Sequence, residues 1–271
     1  MKRVITIKQV SNNSVEELNA IRNRYFTFGV EIECFNVNKE EVKRRLEEKE
    51  VQSIITGYNH YDQRSAYKLG DDGSINGIME CEVVSPVLKN FNSLKEVCNV
   101  LKEHGAEVNK SCGLHVHFGI KNLSCHQVIK LLLDYNKIQK LVSSFMPMSR
   151  RNGRYCQYLQ DSEISRLKRL QDMDENDLDM NMVIDAVCDR YRTINIHAYC
   201  NHKTIEFRQH NGTTDYTKIR AWILFLLSFI NLSLKGYNFD NMVNSENLND
   251  LPINKTIVPY LKERQQKFFN D

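Results

Sequence analysis

The chain has 271 residues, of which 41% are hydrophobic and 26% are charged, and these are the proportions of a folded globular protein. Its 37 basic and 34 acidic residues are mixed along the sequence and give a formal net charge of +3, so the composition indicates neither a nucleic-acid partner nor a membrane-surface partner. The eight cysteines form no Cys-x-x-Cys pair and no secretory leader is recognisable, which predicts a reducing, cytoplasmic setting. The most apolar stretch, residues 221–230, is shorter than the roughly 20 residues of a membrane-spanning helix.

The pattern along the chain predicts one α+β domain that spans residues 1–271. With only 4 prolines, no internal repeat and no Pro/Gly-rich linker, no domain boundary is visible. Alternating polar and apolar residues predict five strands, at 25–35, 78–84, 114–120, 193–199 and 203–210. Helical periodicity predicts six helices, at 39–54, 93–104, 124–145, 177–190, 216–235 and 258–269. We expect the stretches 57–72 and 146–155 to be loops.

Four of these strands combine one apolar face with one face of chemically active residues. Residues two apart in a strand point the same way. The apolar faces consist of Phe26, Phe28, Val30, Ile32 and Cys34, then Met79, Cys81 and Val83, then Leu114, Val116, Phe118 and Ile120, then Ile205 and Phe207. The opposite faces consist of Thr27, Gly29, Glu31 and Glu33, then Glu80 and Glu82, then Gly113, His115, His117 and Gly119, then Thr204, Glu206, Arg208 and His210.

Taken alone, any one of these strands is explained by ordinary amphipathicity, because a half-exposed antiparallel sheet buries one face and solvates the other. Together they are less easily explained that way. A solvated face usually carries Lys, Thr, Ser and Gln, whereas these four carry Glu-x-Glu twice, His-x-His once and Glu-x-Arg once. Carboxylate and imidazole donors are typical of sites for Mg²⁺ or Mn²⁺, whereas a structural zinc site is usually rich in thiolates. The pattern therefore predicts a divalent-metal site.

Clustered carboxylates repel one another, and divalent ions would relieve this repulsion and leave coordination positions for phosphate oxygens. Arg208 lies two residues from Glu206 on the same face, where a guanidinium can clamp a transferring phosphate. The sequence has no P-loop and no Gly-x-Gly-x-x-Gly run. A nucleotide would thus be held mainly through metal ions and basic side chains.

The order of these motifs resembles the amidoligase family of the glutamine synthetase and glutamate-cysteine ligase superfamily. The resemblance covers most of the chain and depends on four segments in order: Phe28-Gly29-Val30-Glu31-Ile32-Glu33; Asp72-Gly73-Ser74 with Glu82-Val83-Val84-Ser85-Pro86; Cys112-Gly113-Leu114-His115-Val116-His117; and Thr204-Ile205-Glu206-Phe207-Arg208 with Asn211-Gly212-Thr213. It implies a glutamine synthetase-like fold, in which a mainly antiparallel, curved sheet forms an active-site trough with helices packed behind it. It also implies ATP and two or three Mg²⁺ ions as cofactors.

The resemblance assigns roles residue by residue. It implies metal ligands at Glu31, Glu33, Glu82, His115 and Glu206. It implies a phosphate-binding arginine at Arg208, and it places His117 near the nucleotide or substrate. Arg190, Arg192 and Asn195 are similar to a family segment that lines this site, with Arg190 as a catalytic candidate, and Arg151 resembles a further cofactor-binding arginine whose register Arg150 and Arg154 leave ambiguous. An equally weighted alternative is that Arg190 and Arg192 only interact with a helix C-terminus.

The reaction that the resemblance implies is ATP-dependent joining of a carboxylate to an amine through an acyl phosphate. Three alternatives remain open: a guanidino kinase-like phosphotransferase of the same fold, a zinc hydrolase that uses His115 and His117, and a binding protein without turnover. The sequence leaves the acyl donor and the amine open among amino acids, peptides, polyamines and polymers. It also leaves the oligomeric state open, since some superfamily relatives assemble into rings.

Overall fold

A computed structural model describes residues 27–57, 65–243 and 245–269. The described residues form two compact units. The first unit contains Thr27–Phe118 and Phe207–Trp222, and the second contains Gly119–Glu206 and the residues from Ile223 onward. The chain therefore passes from one unit to the other several times, and the expectation of a single catalytic domain stays a prediction.

The structure has the mixed α+β character that the sequence predicts, with one open, mostly antiparallel sheet of seven strands in the described part of the chain. The strand order is β2-β3-β4-β1-β5-β7-β6, which makes β1 the central strand. β1 pairs antiparallel with β4 and β5, and β2 pairs parallel with β3. The strands are β1 Phe28–Cys34, β2 Ser53–Ile55, β3 Tyr67–Gly70, β4 Cys81–Val84, β5 Gly113–Gly119, β6 Ile194–Asn195 and β7 Thr204–Asn211.

Nine α-helices occur among the described residues. They are α1 Lys39–Glu48, α2 Asn92–Glu103, α3 Cys125–Lys137, α4 Gln139–Ser144, α5 Asp161–Gln171, α6 Met180–Ala186, α7 Ala198–His202, α8 Tyr216–Leu234 and α9 Val258–Phe268. Side-chain oxygens cap the N-termini of two of them: Ser124 forms a capping box with Gln127 at α3, and Asp215 accepts hydrogen bonds from the amides of Thr217 and Lys218 at the start of α8.

Two strand predictions are wrong in part. The predicted strand 78–84 begins only at Cys81, because Met79 has a left-handed φ of 51° that breaks the alternation and leaves its side chain 50% exposed. Glu80 consequently lies outside the strand. The predicted strand 193–199 is reduced to β6, since the Asn195 side chain accepts the His197 amide and turns the chain into α7. Phe26, predicted at the start of β1, lies outside the described residues.

Two strands and two helices were missed by the sequence analysis, and one of these helices, α7, begins inside the predicted strand 193–199. β2 lies at the end of the predicted helix 39–54, which in fact ends at Glu48, and β3 lies inside the predicted loop 57–72. The predicted helix 124–145 divides into α3 and α4 at Ile138, which leaves helical geometry while its side chain stays buried. The helix 177–190 shortens to α6, and α5 was not predicted.

The core of the first unit lies on the apolar faces of the strands. Ile32 on β1, Val83 on β4 and Leu114 on β5 are fully buried, as the alternation predicts. Phe118 on β5 packs edge-on against Phe207 on β7, with ring centroids 5.9 Å apart. The opposite faces of β1, β4, β5 and β7 point away from this apolar core. The charged and imidazole side chains lie on those opposite faces.

The second unit has a helical core around α3, which packs against α4, α5 and α6. Asp134 on α3 is buried and accepts a hydrogen bond from the Ser233 hydroxyl on α8. α8 has the length and composition of a membrane-crossing helix, but 61% of an 18-residue stretch of it is buried inside the protein. The core helix of a soluble protein has the same length and composition. Trp222 on this helix is buried.

Candidate metal centre

The pairing of β1 with its two neighbours brings five of the sequence-predicted site residues together in the first unit. Glu33 lies opposite Glu82 on β4, Glu31 lies opposite His115 on β5, and Gly29 lies opposite His117. Directly opposed residues in an antiparallel pair point to the same face of the sheet. The alternation read from the sequence therefore becomes a continuous row of carboxylates and imidazoles across three adjacent strands.

Glu33, Glu82 and His115 form a compact, buried donor group. Each offers one ligand atom, and these three atoms lie within 4.8 Å of one another. The side chains are almost out of contact with solvent, since the exposed fractions of the residues are 5%, 9% and 4%. Two carboxylate oxygens and one imidazole nitrogen at this spacing can coordinate one divalent ion.

Glu31 bridges the two histidines of β5. Its Oε2 is 2.9 Å from His115 Nδ1 and its Oε1 is 3.1 Å from His117 Nε2, so each ring donates an N–H to the carboxylate. Burial raises the pKa of Glu31, but the charge of His117 and the hydrogen bonds from both rings outweigh it and hold the pKa well below its usual range. Glu31 is therefore an anion at neutral pH.

Glu33 is oriented by the backbone of the next strand. The amide of Gly113 donates to Glu33 Oε2 at 2.6 Å, and Glu33 Oε1 lies 3.4 Å from His115 Nε2. The peptide at Cys112 and Gly113 is in turn fixed by Gly212, whose amide donates to the Cys112 carbonyl at 2.8 Å. A Cβ on Gly212 would lie 2.5 Å from the Cys112 Cβ, so this close approach requires glycine.

The donor set fits a hard or borderline divalent cation. Like charges directly opposite each other in a sheet are destabilising, and the burial of Glu33 and Glu82 reduces solvent screening of their repulsion. A cation between them would offset this repulsion. Oxygen donors with one imidazole suit Mg²⁺ or Mn²⁺, whereas a structural zinc site would use thiolates. The residues present therefore fit the metal that the resemblance implies.

Arg208 lies in the same unit, on β7 beside β5 in the sheet order. Its neighbour Phe207 packs on Phe118 in the core, so alternation directs Arg208 to the face that carries His115 and His117. Arg208 is half-buried. The predicted phosphate-binding arginine thus shares a sheet face with the predicted ligands of the first unit.

Glu206 and Asn195 lie together in the second unit. The Asn195 side-chain amide donates to Glu206 Oε2 at 2.6 Å, and both residues are buried. Asn195 thus contacts a predicted metal ligand directly, and its predicted contact with a nucleotide stays a prediction.

The three other arginines of the predicted site make contacts inside the second unit. Arg192 is buried and forms an ion pair with Glu163, with Nε–Oε2 at 2.9 Å, and it also donates to Gln157. Arg151 donates to the carbonyls of Met146 and Phe268. These contacts describe structural roles, and the predicted cofactor roles of Arg192 and Arg151 stay predictions.

Arg190 is exposed and belongs to a surface group of aromatic and basic side chains. Its guanidinium lies 4.9 Å from the ring centroid of Tyr191, and Tyr191 meets Tyr155 edge-on with centroids 5.3 Å apart. Arg154 lies over the Tyr155 ring at 5.3 Å. The group holds two positive charges on the surface, and the catalytic role predicted for Arg190 stays a prediction.

Two positioning residues were missed by the sequence analysis. The Gly113 amide was not recognised as a donor to Glu33, although a glycine beside a histidine ligand is a signal for close backbone approach. Glu163 was missed as the partner of Arg192, because it lies in the unpredicted helix α5. Its signal was the pairing of Gln160 with Glu163 three residues later, which forms a capping box in the structure.

A family model described as "Putative amidoligase enzyme" matches residues 24–230. The chain belongs to this amidoligase family. The predicted family is confirmed, and the description of the family agrees with the predicted enzyme class, a carbon–nitrogen ligase.

No curated protein sequence matches this amidoligase. Among solved structures, it is similar to a bifunctional glutathione synthetase from Pasteurella multocida, with 9% sequence identity and a TM-score of 0.39. The similarity covers 96% of this chain and 47% of the other. The amidoligase therefore spans about half the length of that enzyme.

Proposed function

We propose that this amidoligase uses ATP and divalent metal ions to join a carboxylate to an amine through an acyl phosphate. The observation that carries the proposal is the buried group of Glu33, Glu82 and His115, whose ligand atoms lie within 4.8 Å of one another. Family membership supplies the reaction class, and the donor group supplies a place for a metal ion to bind a nucleotide phosphate. The glutamine synthetase-like trough and the superfamily relationship belong to the same proposal.

The metal ligands we propose are Glu31, Glu33, Glu82, His115 and Glu206. Mg²⁺ or Mn²⁺ at these residues would neutralise phosphate charge and hold the nucleotide in position. Arg208 would bind the γ-phosphate oxygens and stabilise the charge that develops on them. His117, which donates to Glu31, would fix the orientation of that carboxylate.

The chemical steps follow from this arrangement. A carboxylate oxygen of the substrate forms a bond to the γ-phosphorus of ATP, and ADP leaves. The amine nitrogen then forms a bond to the acyl carbon, phosphate leaves, and the nitrogen loses a proton. Arg208 would act in the first step, where negative charge spreads over the transferring group.

The substrates are a small-molecule or peptide carboxylate and an amine, and a cytoplasmic location is part of the proposal. All eight cysteines are free thiols, and six of them are buried, which is consistent with a reducing compartment. The formal net charge of +3 supplies no strong field for nucleic acid.

The test is a screen for ADP release with Mg²⁺, ATP and pooled carboxylates and amines, with products identified by mass spectrometry. The proposal predicts ADP, phosphate and a product that equals the two substrates minus one water. A phosphorylated acceptor without free phosphate would instead identify a phosphotransferase. Turnover without ATP would identify a hydrolase.

Site variants connect this activity to the residues. Glu206→Ala and Arg208→Ala should each lower turnover by about 10² to 10³ or more, because the first removes a proposed metal ligand and the second removes a positive charge that acts on the transferring phosphoryl group. Arg220→Ala is a matched control, since Arg220 lies over the Phe91 ring in the first unit and takes no part in the proposed site. Wild-type ATP consumption by either site variant would contradict the assignment.

A further inference from the structure

Asn195 holds one oxygen of Glu206 with a fixed orientation. Its Nδ2 donates to Glu206 Oε2 at 2.6 Å, while its Oδ1 accepts the backbone N–H of His197 at 2.8 Å. The oxygen and nitrogen of an asparagine amide are distinguished by such partners. Since the His197 amide can only donate, the Nδ2 of Asn195 must face Glu206.

The segment that carries Asn195 is itself anchored. Arg192 forms its ion pair with Glu163, and the Thr193 hydroxyl donates to Gln139 Oε1 at 2.8 Å. All these side chains are buried. These contacts fix the segment, and a rotation of the Asn195 side chain away from Glu206 would also break its hydrogen bond with the His197 amide.

We propose that Asn195 is a positioning residue that limits Glu206 to coordinating a metal ion through one oxygen, and that it thereby favours Mg²⁺ over Ca²⁺. The proposal rests on Glu206 being a metal ligand, as stated under the proposed function. Ca²⁺ accepts six to eight oxygens and readily takes both oxygens of a carboxylate, whereas Mg²⁺ requires a small octahedral shell. With Oε2 held by Asn195, the metal ion is coordinated through Oε1.

The same device occurs independently on another proposed ligand. In the first unit, the Gly113 amide donates to Glu33 Oε2, also at 2.6 Å. In both cases a neutral N–H donor holds one oxygen of a buried carboxylate. A neutral donor keeps the full negative charge available for the metal ion while it fixes the ligand geometry.

A purely structural explanation is that Asn195 only satisfies a buried carboxylate, which needs a hydrogen-bond partner in any case. The two explanations differ in one measurable quantity. Loss of a structural partner would weaken the binding of both ions together, whereas loss of the one-oxygen restriction would change their relative affinity.

The experiment is isothermal titration calorimetry of the full chain with MgCl2 and, separately, CaCl2. We expect Asn195→Leu to weaken Mg²⁺ binding by about 10-fold to 100-fold, the usual effect of removing a residue that orients a ligand. Ca²⁺ binding should be unchanged or tighter, so the ratio of the two dissociation constants should shift by at least about 10-fold. Asn195→Ala should shift this ratio in the same direction, and it replaces the leucine variant if that variant does not fold.

Thr193→Val is the matched control. It removes a buried hydrogen bond from the same segment without touching Glu206, so the Mg²⁺/Ca²⁺ ratio should stay at the wild-type value. Equal losses for both ions in the Asn195 variants would overturn the inference.

Two further outcomes distinguish the inference from the proposed function. If Glu206→Gln keeps wild-type affinity for both ions, Glu206 is not a metal ligand. This result would overturn the inference about Asn195 and also the proposed role of Glu206. Loss of Mg²⁺ binding in Glu206→Gln together with an unchanged ratio in Asn195→Leu would overturn the inference alone.

Discussion

Glu33 on β1 and Glu82 on β4 lie directly opposite each other, and both carboxylates are buried. Opposed like charges destabilise a sheet, and burial removes most of the solvent that would screen them. His115 on β5 approaches Glu33, and its Nε2 lies 3.4 Å from Glu33 Oε1. The pair therefore stores repulsion that a bound cation can relieve, and this gives the first prediction.

Glu82→Gln should increase the stability of the metal-free protein and abolish its response to Mg²⁺. The substitution keeps the shape of the side chain and removes one of two opposed charges, which is worth up to about 1 kcal/mol. The wild-type protein should instead gain about 2.7 kcal/mol at a Mg²⁺ concentration 100 times its dissociation constant. Thermal unfolding with chelator and with excess MgCl2 measures both effects.

The control for this prediction is Glu47→Gln, which removes a charge from the exposed ion pair with Lys43 on α1. It should leave the Mg²⁺ response unchanged. A Glu82→Gln protein that is still stabilised by Mg²⁺ to the wild-type extent would exclude Glu82 as a ligand.

The second prediction concerns the pH dependence that Glu31 creates. Burial raises its pKa, but His117 and His115 lower the pKa by more than burial raises it. The folded-state pKa therefore lies below the unfolded value of about 4.3. A lowered carboxyl pKa contributes stability that is fully present above the unfolded pKa and is lost as the pH falls through the folded pKa. Wild type should therefore exceed Glu31→Gln in stability near neutrality, and the difference should shrink below about pH 4.5.

Urea unfolding of both proteins in the presence of chelator, from about pH 6 to about pH 3, measures this difference. The chelator is needed because a bound metal ion would add its own dependence on pH. A difference that grows as the pH falls would contradict the lowered pKa of Glu31.

The strands that carry the site could be predicted because their polar and apolar residues alternate strictly. Strict alternation shows which side chains lie on each face of a strand. β1, β5 and β7 follow that rule, and Glu31 on β1 lies opposite His115 on β5. The strand order could not be read from the same pattern, because pairing depends on long-range contacts. β2 and β3, which pair in parallel, have only three and four residues. Strands this short do not show a recognisable polar/apolar alternation.

The failures have local physical causes. Met79 adopts a left-handed backbone conformation that its residue type does not announce, and this ends the alternation before Glu80. The predicted strand after Thr193 ends because a side chain, Asn195, captures the amide of His197. Side-chain capture of backbone amides competes with a strand ladder and is not visible in the hydrophobic period.

The third prediction tests the contact between Gly212 and Cys112. Gly212→Ala places a methyl group 2.5 Å from the Cys112 Cβ and 3.0 Å from its carbonyl carbon, so the peptide must shift. Overpacking of this kind costs about 1–3 kcal/mol. The shift should also displace the Gly113 amide from Glu33 and weaken Mg²⁺ binding by about 10-fold.

Gly57→Ala is its control, because a Cβ at Gly57 would meet nothing within 4 Å. Chemical unfolding and Mg²⁺ titration calorimetry of both variants provide the comparison. A Gly212→Ala protein with reduced stability but wild-type Mg²⁺ affinity would show that the Gly113 amide does not depend on this contact.

The fourth prediction concerns the buried ion pair of Arg192 and Glu163. Arg192 donates through Nε and Nη2 to Glu163 and through Nη1 to Gln157, and Glu163 also accepts the amides of Gln160 and Cys188. Removing one partner of a buried pair costs about 3–5 kcal/mol, because the other charge is left uncompensated. Glu163→Gln and Arg192→Met should each lose about this much stability.

A double-mutant cycle decides whether this loss belongs to the pair. If it does, the protein with both substitutions should lose clearly less than the sum of the two single losses, with a coupling of about 1–3 kcal/mol. The exposed pair of Lys43 and Glu47 provides the comparison and should give a coupling of only about 0.3–0.5 kcal/mol. Additive losses at Arg192 and Glu163, together with a raised KM for ATP in Arg192→Met alone, would instead support the predicted contact of Arg192 with the nucleotide.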